Sequence, residues 1–181
     1  MARPTWRLAE TVRFYRDTLG LKLVHAITAR GWGREGHPDF LHFFFDSGRG
    51  STIAFFYYLG TSRPEYLEPR ADHNYRSTHT AWRVDTPEEL LAWKEKLEKH
   101  GLDVSPLTNH EVIDSIYFHD PNGYNIEITV QKRDFLPVDS TDADLTLRAA
   151  MELEEKGLTL SEGADIDAIW RRKAELVREL A

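Results

Sequence analysis

Phe118-His-Asp-Pro-Asn-Gly-Tyr-Asn-Ile-Glu127 reads as the end of one strand, a tight turn and the start of another. Proline presets a turn dihedral and Asn-Gly tolerates positive φ, so 120–123 predicts a hairpin between strands over 111–119 and 124–130. Strand alternation then puts Asn125, Glu127 and Thr129 on one face and Tyr124, Ile126 and Val130 on the other. Upstream, 78–84 reads as a strand and 104–107 as a short strand. Between them 86–100 reads as a helix with Leu90, Leu91, Trp93 and Leu97 apolar and Gly101 as its stop. The first half runs likewise. A helix over 8–19 carries Leu8, Val12, Tyr15 and Leu19 on one face and ends at Gly20; strands follow over 21–27, 40–45 and 52–58. The loop 29–38 separates the first two strands, and Asp46-Ser-Gly-Arg-Gly50 separates the last two as an antiparallel pair. The order strand-helix-strand-strand-strand therefore repeats, except that the first copy lacks its opening strand: 2–6 contains Pro4 and reads poorly as an interior strand.

The expected class is α+β, with a first module over 1–60, a linker over 61–77, a second module over 78–132 and a helical extension over 133–181. The extension reads as two helices, over 141–156 and 164–180, whose apolar stripe needs a surface to cover it; a second copy of the chain, giving a homodimer, is the expectation. Across 181 residues, 23 basic and 30 acidic side chains give a net charge of −7, with no extended basic surface, so nucleic acid is an unexpected partner. No cysteine is present, which excludes disulfides, thiolate zinc sites and a cysteine nucleophile; any metal must be held by nitrogen and oxygen. Neither a signal peptide nor a membrane-spanning apolar run is legible, so a cytoplasmic location is the default expectation.

Phe14-Tyr-Arg-Asp-Thr-Leu-Gly-Leu21, His79-Thr-Ala-Trp-Arg-Val-Asp85 and the 118–127 stretch together resemble the vicinal oxygen chelate superfamily. That group holds glyoxalase I, extradiol dioxygenases, fosfomycin-resistance enzymes and bleomycin-binding proteins. The resemblance covers roughly 5–130, and its order agrees with the repeat read from the residues. It implies paired βαβββ modules curled into a half-barrel around one divalent metal. In the dioxygenases two histidines and a glutamate bind it, on the first strand of each module and the last strand of the second. His79 and Glu127 match two of these positions. Read alone, Glu127 is a solvent-facing strand residue and His79 a strand starter; the two motifs in register favour the ligand reading.

The third ligand projects to Met1 or just upstream. A start internal to the natural protein, substitution by His25 or His42, and loss of the metal are the three explanations, the first preferred. The glyoxalase-type carboxylate is also missing, since 52–58 contains none. By resemblance Tyr117, ten residues before Glu127, would hydrogen-bond a phenolic oxygen, and His110 would shuttle its proton; as ordinary residues they are strand and loop filling. His119 reads as a rim residue and Arg83 as the chief inward cation. Phe43, Phe44, Phe45, Phe55, Phe56, Tyr57 and Tyr58 supply an aromatic set to wall a cavity. The expected function is an extradiol ring-cleaving dioxygenase taking dioxygen and a small catechol-like substrate, with iron(II) as cofactor, or manganese, zinc or nickel. A metal-free binder of the bleomycin-resistance kind and a glyoxalase-like lyase or isomerase are the alternatives.

Overall fold

Apolar residues at alternate positions of paired strands give each half of the chain a sheet with one buried face. These are Phe43, Phe45, Ile53 and Phe55 in one half and Ile116, Phe118, Ile126 and Ile128 in the other. The computed structural model describes residues 1–32, 35–159 and 163–180. It divides into two units, Met1–Lys132 and Arg133–Ala181.

In the larger unit the first module comprises β1 (Ala2–Pro4), α1 (Leu8–Arg13), β2 (Leu23–Ala29), β3 (Phe40–Gly48) and β4 (Ser51–Tyr58). Next come α2 (His73–Ser77), β5 (His79–Val84), α3 (Pro87–Lys99), β6 (Thr108–His110), β7 (Ile113–His119) and β8 (Asn125–Gln131). The sheets run β1-β4-β3-β2 and β5-β8-β7-β6. In each, the first strand lies parallel to the last and the other pairs are antiparallel. The repeat read from the sequence is thus present as two copies of one topology.

Three local expectations are corrected. An opening strand does exist in the first module, and Pro4 is tolerated because β1 is an edge strand, bonded only to β4. The strand expected at 104–107 is instead β6, further along. Pro106 lacks an N–H, so only Ser105 bonds there, its N–H donating to the Tyr117 carbonyl at 2.9 Å. The helix over 8–19 is regular to Arg13 and continues as a wider π-type turn over Phe14–Thr18, closed by Leu19 N–H on the Phe14 carbonyl at 2.9 Å. The wider turn lets the consecutive Phe14 and Tyr15 both point inward.

α3 starts where Thr86 accepts a hydrogen bond from Glu89 N–H, with Pro87 in its first turn, and delivers Leu90 and Leu97 to the core. Phe45 and Phe55, both fully buried, each contribute about 1.5–3 kcal/mol by area.

A buried polar seam joins the modules. Thr5 Oγ1 donates to Asn122 Oδ1 at 2.9 Å, Asn122 Nδ2 donates to Thr11 Oγ1 at 3.0 Å, and the Tyr15 hydroxyl donates to Asp120 Oδ2 at 3.1 Å. Burial pushes the Asp120 carboxyl above the usual carboxylate range and the Tyr15 hydroxyl well above its own. Asp120 also accepts from the N–H groups of Asn122 and Tyr124, which shapes the β7–β8 turn.

In the smaller unit α4 (Pro137–Glu155) and α5 (Ile166–Glu179) are joined by Arg172 to Glu152 at 2.6 Å and Lys173 to Asp142 at 2.6 Å. α4 begins earlier than the apolar pattern suggested, because Pro137 opens the first turn and Asp139 accepts from Leu136 N–H. The Arg133 guanidinium, with that N–H, draws the Asp139 carboxyl down to about 2. No described helix is long and apolar enough to cross a membrane.

Gly123 ends the β7–β8 turn at φ +82°, and a Cβ there would lie 2.3 Å from Pro69 Cγ. Gly123→Ala should therefore cost more than the roughly 1–2 kcal/mol of a left-handed backbone alone. In a Pro69→Gly background the cost should drop towards that value, read by urea denaturation. Equal costs in both backgrounds would mean that Pro69 does not touch the turn.

Candidate active site

The parallel register of β5 and β8 sets Ala81 opposite Glu127 and His79 opposite Asn125, so His79 and Glu127 share the face away from the helix. Glu127 is nearly enclosed, its side chain 6% exposed, whereas His79 stands at the opening at 30%. His79 Nε2 lies 2.8 Å from Glu127 Oε2, and its Nδ1 donates to the Arg76 carbonyl at 3.3 Å.

On the antiparallel side Tyr117 is directly opposite Glu127. Its hydroxyl donates to Glu127 Oε1 at 3.1 Å, and His110 Nε2 sits 2.8 Å from the same hydroxyl. A phenol has one proton, so once it is given to the carboxylate the His110 Nε2–H must be the donor of the second bond. Burial, and then the charge of Glu127, raise the Tyr117 hydroxyl above its ordinary value. His79, Glu127, Tyr117 and His110, four residues singled out from sequence, form one unbroken hydrogen-bonded chain.

This chain opens on a cavity of ≈ 590 Å³ whose wall includes His79, His110, Tyr117, Val104, Pro106 and Asn125. His119 also lines it, in agreement with a rim position. Asn125 could have been found by alternation, since it shares the face of Glu127; its Nδ2 donates to the Tyr75 carbonyl at 2.8 Å and holds α2 against the sheet. Arg76 and Ser77 come from the segment read as a plain linker, which gave no periodic signal.

Other sequence candidates lie elsewhere. Arg83 borders a separate cavity of ≈ 540 Å³ and donates to Gln131 Oε1 at 2.7 Å. Of the aromatic set, Phe43, Phe45 and Phe55 belong to the core. Phe44, Phe56 and Tyr58 take the opposite face with His42 and do not line the cavity of His79. His42 is buried, stacked on Phe56 at 3.6 Å between centroids with Nδ1 bonded to the Phe55 carbonyl, and His25 lies against Phe44.

Neither histidine joins His79 and Glu127 as a ligand; among the described residues no three His, Asp or Glu side chains gather as a metal site. In the register of the repeat, Phe45·Ile53 corresponds to Phe118·Ile126, which puts Phe44 at the place of Tyr117 and Ala54 at that of Glu127. The donors present, one imidazole and one carboxylate, are one short of the two-histidine, one-carboxylate set that holds iron(II).

The family model of the Glyoxalase/Bleomycin resistance protein/Dioxygenase superfamily matches residues 2–128. Biphenyl-2,3-diol 1,2-dioxygenase 2 of Rhodococcus globerulus is 34% identical over 67 residues, which is 37% of this chain and 35% of that protein. Among solved structures, a glyoxylase/bleomycin resistance protein/dioxygenase domain from Frankia sp. EAN1pec is similar, with a TM-score of 0.54 and 19% identity over 74% of this chain and 90% of its own. The trypanothione-dependent glyoxalase I of Leishmania major gives 0.52 and 18% over 87% and 94%. At these identities the two structures share the fold.

His79→Ala would strip the enclosed Glu127 of its imidazole partner and should lower stability by about 2 kcal/mol, tempered by the solvent that reaches His79. Adding Glu127→Gln to it should cost little more, because the orphaned charge is removed as well. Additive losses in a denaturation cycle would show the two side chains to be uncoupled.

Proposed function

The chain belongs to the Glyoxalase/Bleomycin resistance protein/Dioxygenase superfamily, and on that premise we propose that its second module takes a catechol-like aromatic diol in the manner of the ring-cleaving dioxygenases. The observation that carries this reading is the continuous chain His79–Glu127–Tyr117–His110 along one cavity. Two adjacent hydroxyls need neighbouring donor and acceptor groups, and this chain offers an alternating series of them along one wall. The Tyr117 hydroxyl would orient one phenolic oxygen. His110, exposed beside it with Nε2–H on the Tyr117 hydroxyl, would take up at Nδ1, through solvent, the proton that this oxygen gives up. Val104 and Pro106 would cover the ring and keep water from it. The similarity to a biphenyl-diol dioxygenase supports the same substrate class.

The described residues do not complete a site for iron(II), manganese, zinc or nickel. That Glu127 is already met by His79 and Tyr117 favours a second reading, a metal-free binding protein with the same ligand preference. A lyase or isomerase of the glyoxalase kind is supported less, because Ala54 stands where a carboxylate would be needed.

Calorimetric titration with catechol, phenol and toluene, followed by oxygen uptake after anaerobic addition of iron(II), separates these readings. The proposal expects catechol to bind tightest and Tyr117→Phe to weaken it by about tenfold; oxygen uptake that requires both iron and a diol would favour the enzyme over the binding protein. Diol binding without uptake would leave the binding protein. Failure of every diol to bind would overturn both.

A further inference from the structure

Arg76 reaches the cavity from a short helix that is firmly held. Asp72 Oδ1 accepts from Tyr75 N–H at 3.0 Å, the Tyr75 hydroxyl donates to the Gly123 carbonyl at 3.0 Å, and Asn125 Nδ2 donates to the Tyr75 carbonyl at 2.8 Å. These bonds tie α2 to the turn and strand that carry Glu127. The Arg76 carbonyl then accepts from His79 Nδ1, so the backbone of one residue sets the His79 ring while the same exposed residue borders the cavity.

The Arg76 side chain has no hydrogen bond or ion pair among the described residues. Arg7, Arg16 and Arg172 each bind a carboxylate, and Arg63 a carbonyl. A guanidinium is a planar fork of donors matched to a carboxylate, and an unspent one at the wall of a mainly apolar pocket is a recognition element for an anion. Asp103 lines the same cavity without pairing with Arg76 and is the one carboxylate on the wall besides the chain itself, so it opposes an anionic ligand and sharpens where the acid group can sit.

Building on the diol reading above, we infer that Arg76 is a specificity-determining residue that selects aromatic diols carrying a carboxylate. The ring lies in the pocket, the two hydroxyls meet the Tyr117–Glu127 centre of the hydrogen-bonded chain, and the acid group meets Arg76.

Binding of protocatechuate and of its methyl ester, compared by calorimetry, tests this with ring and hydroxyls held constant. The acid should bind wild-type protein about tenfold tighter at low ionic strength, and the ratio should shrink in high salt. Arg76→Gln should bring the ratio to about one, Arg76→Lys should keep part of it, and Asp103→Asn should raise it. A wild-type protein that binds both equally, or a ratio that survives Arg76→Gln, overturns this inference and leaves the diol reading standing. If wild-type protein binds neither compound, the diol reading falls and this inference with it.

Discussion

A carboxylate enclosed by protein must be met by donors or surrender its charge, and Glu127 is met by two: the imidazole of His79 across a parallel strand pair and the hydroxyl of Tyr117 across an antiparallel one. Each partner is set by strand register, so the first and last strands of the module must lie side by side before the site exists. The βαβββ topology supplies that neighbourhood. The parallel pairing of β5 with β8 requires the crossover through α3, which in turn needs Leu90 and Leu97 buried beneath the sheet. The chemistry of the face that carries Glu127 therefore depends on packing on the opposite one.

The same logic runs outward through the turn between β7 and β8. Asp120 and Asn122 fasten this turn to Thr5, Thr11 and Tyr15 of the first module, and Gly123 and Asn125 fasten it to α2. α2 then aims the Arg76 carbonyl at His79. The first module, which offers no carboxylate at the place of Glu127, acts on the site by holding this turn. Its own face away from the core, with His42, Phe44 and Phe56, carries Phe44 at the place of Tyr117 and Ala54 at that of Glu127.

Much of this was legible in the sequence, and the exceptions have physical causes. Asp-Pro-Asn-Gly declared the hairpin because its dihedral preferences are local, and alternation through Asn125, Glu127 and Thr129 declared the functional face. The proximity of His79, Glu127, Tyr117 and His110 was readable through resemblance and register together. β1 was hidden because Pro4 argues against a strand, an argument that holds only for interior ones. The role of 73–77 was hidden more deeply: Tyr75 and Asn125 are 50 residues apart, and nothing local in that segment signals a wall of the pocket. Aromatic richness at 43–45 and 55–58 suggested a cavity, yet alternate rings went to the core and the remainder to a face that the cavity of His79 does not touch. Composition tells how many rings there are but not which sheet face receives the ligand.

The central claim is that an aromatic diol seats on the hydrogen-bonded chain that centres on Glu127. Nitrogen NMR of the protein labelled at its 8 histidines, titrated with catechol, reads this directly. The ring resonances of His79 and His110 should shift together and saturate in parallel, with His119 following at the rim, while His25, His42 and His100 hold still. Saturable shifts confined to His25 or His42, or catechol binding that leaves His79 and His110 unmoved, would contradict the account.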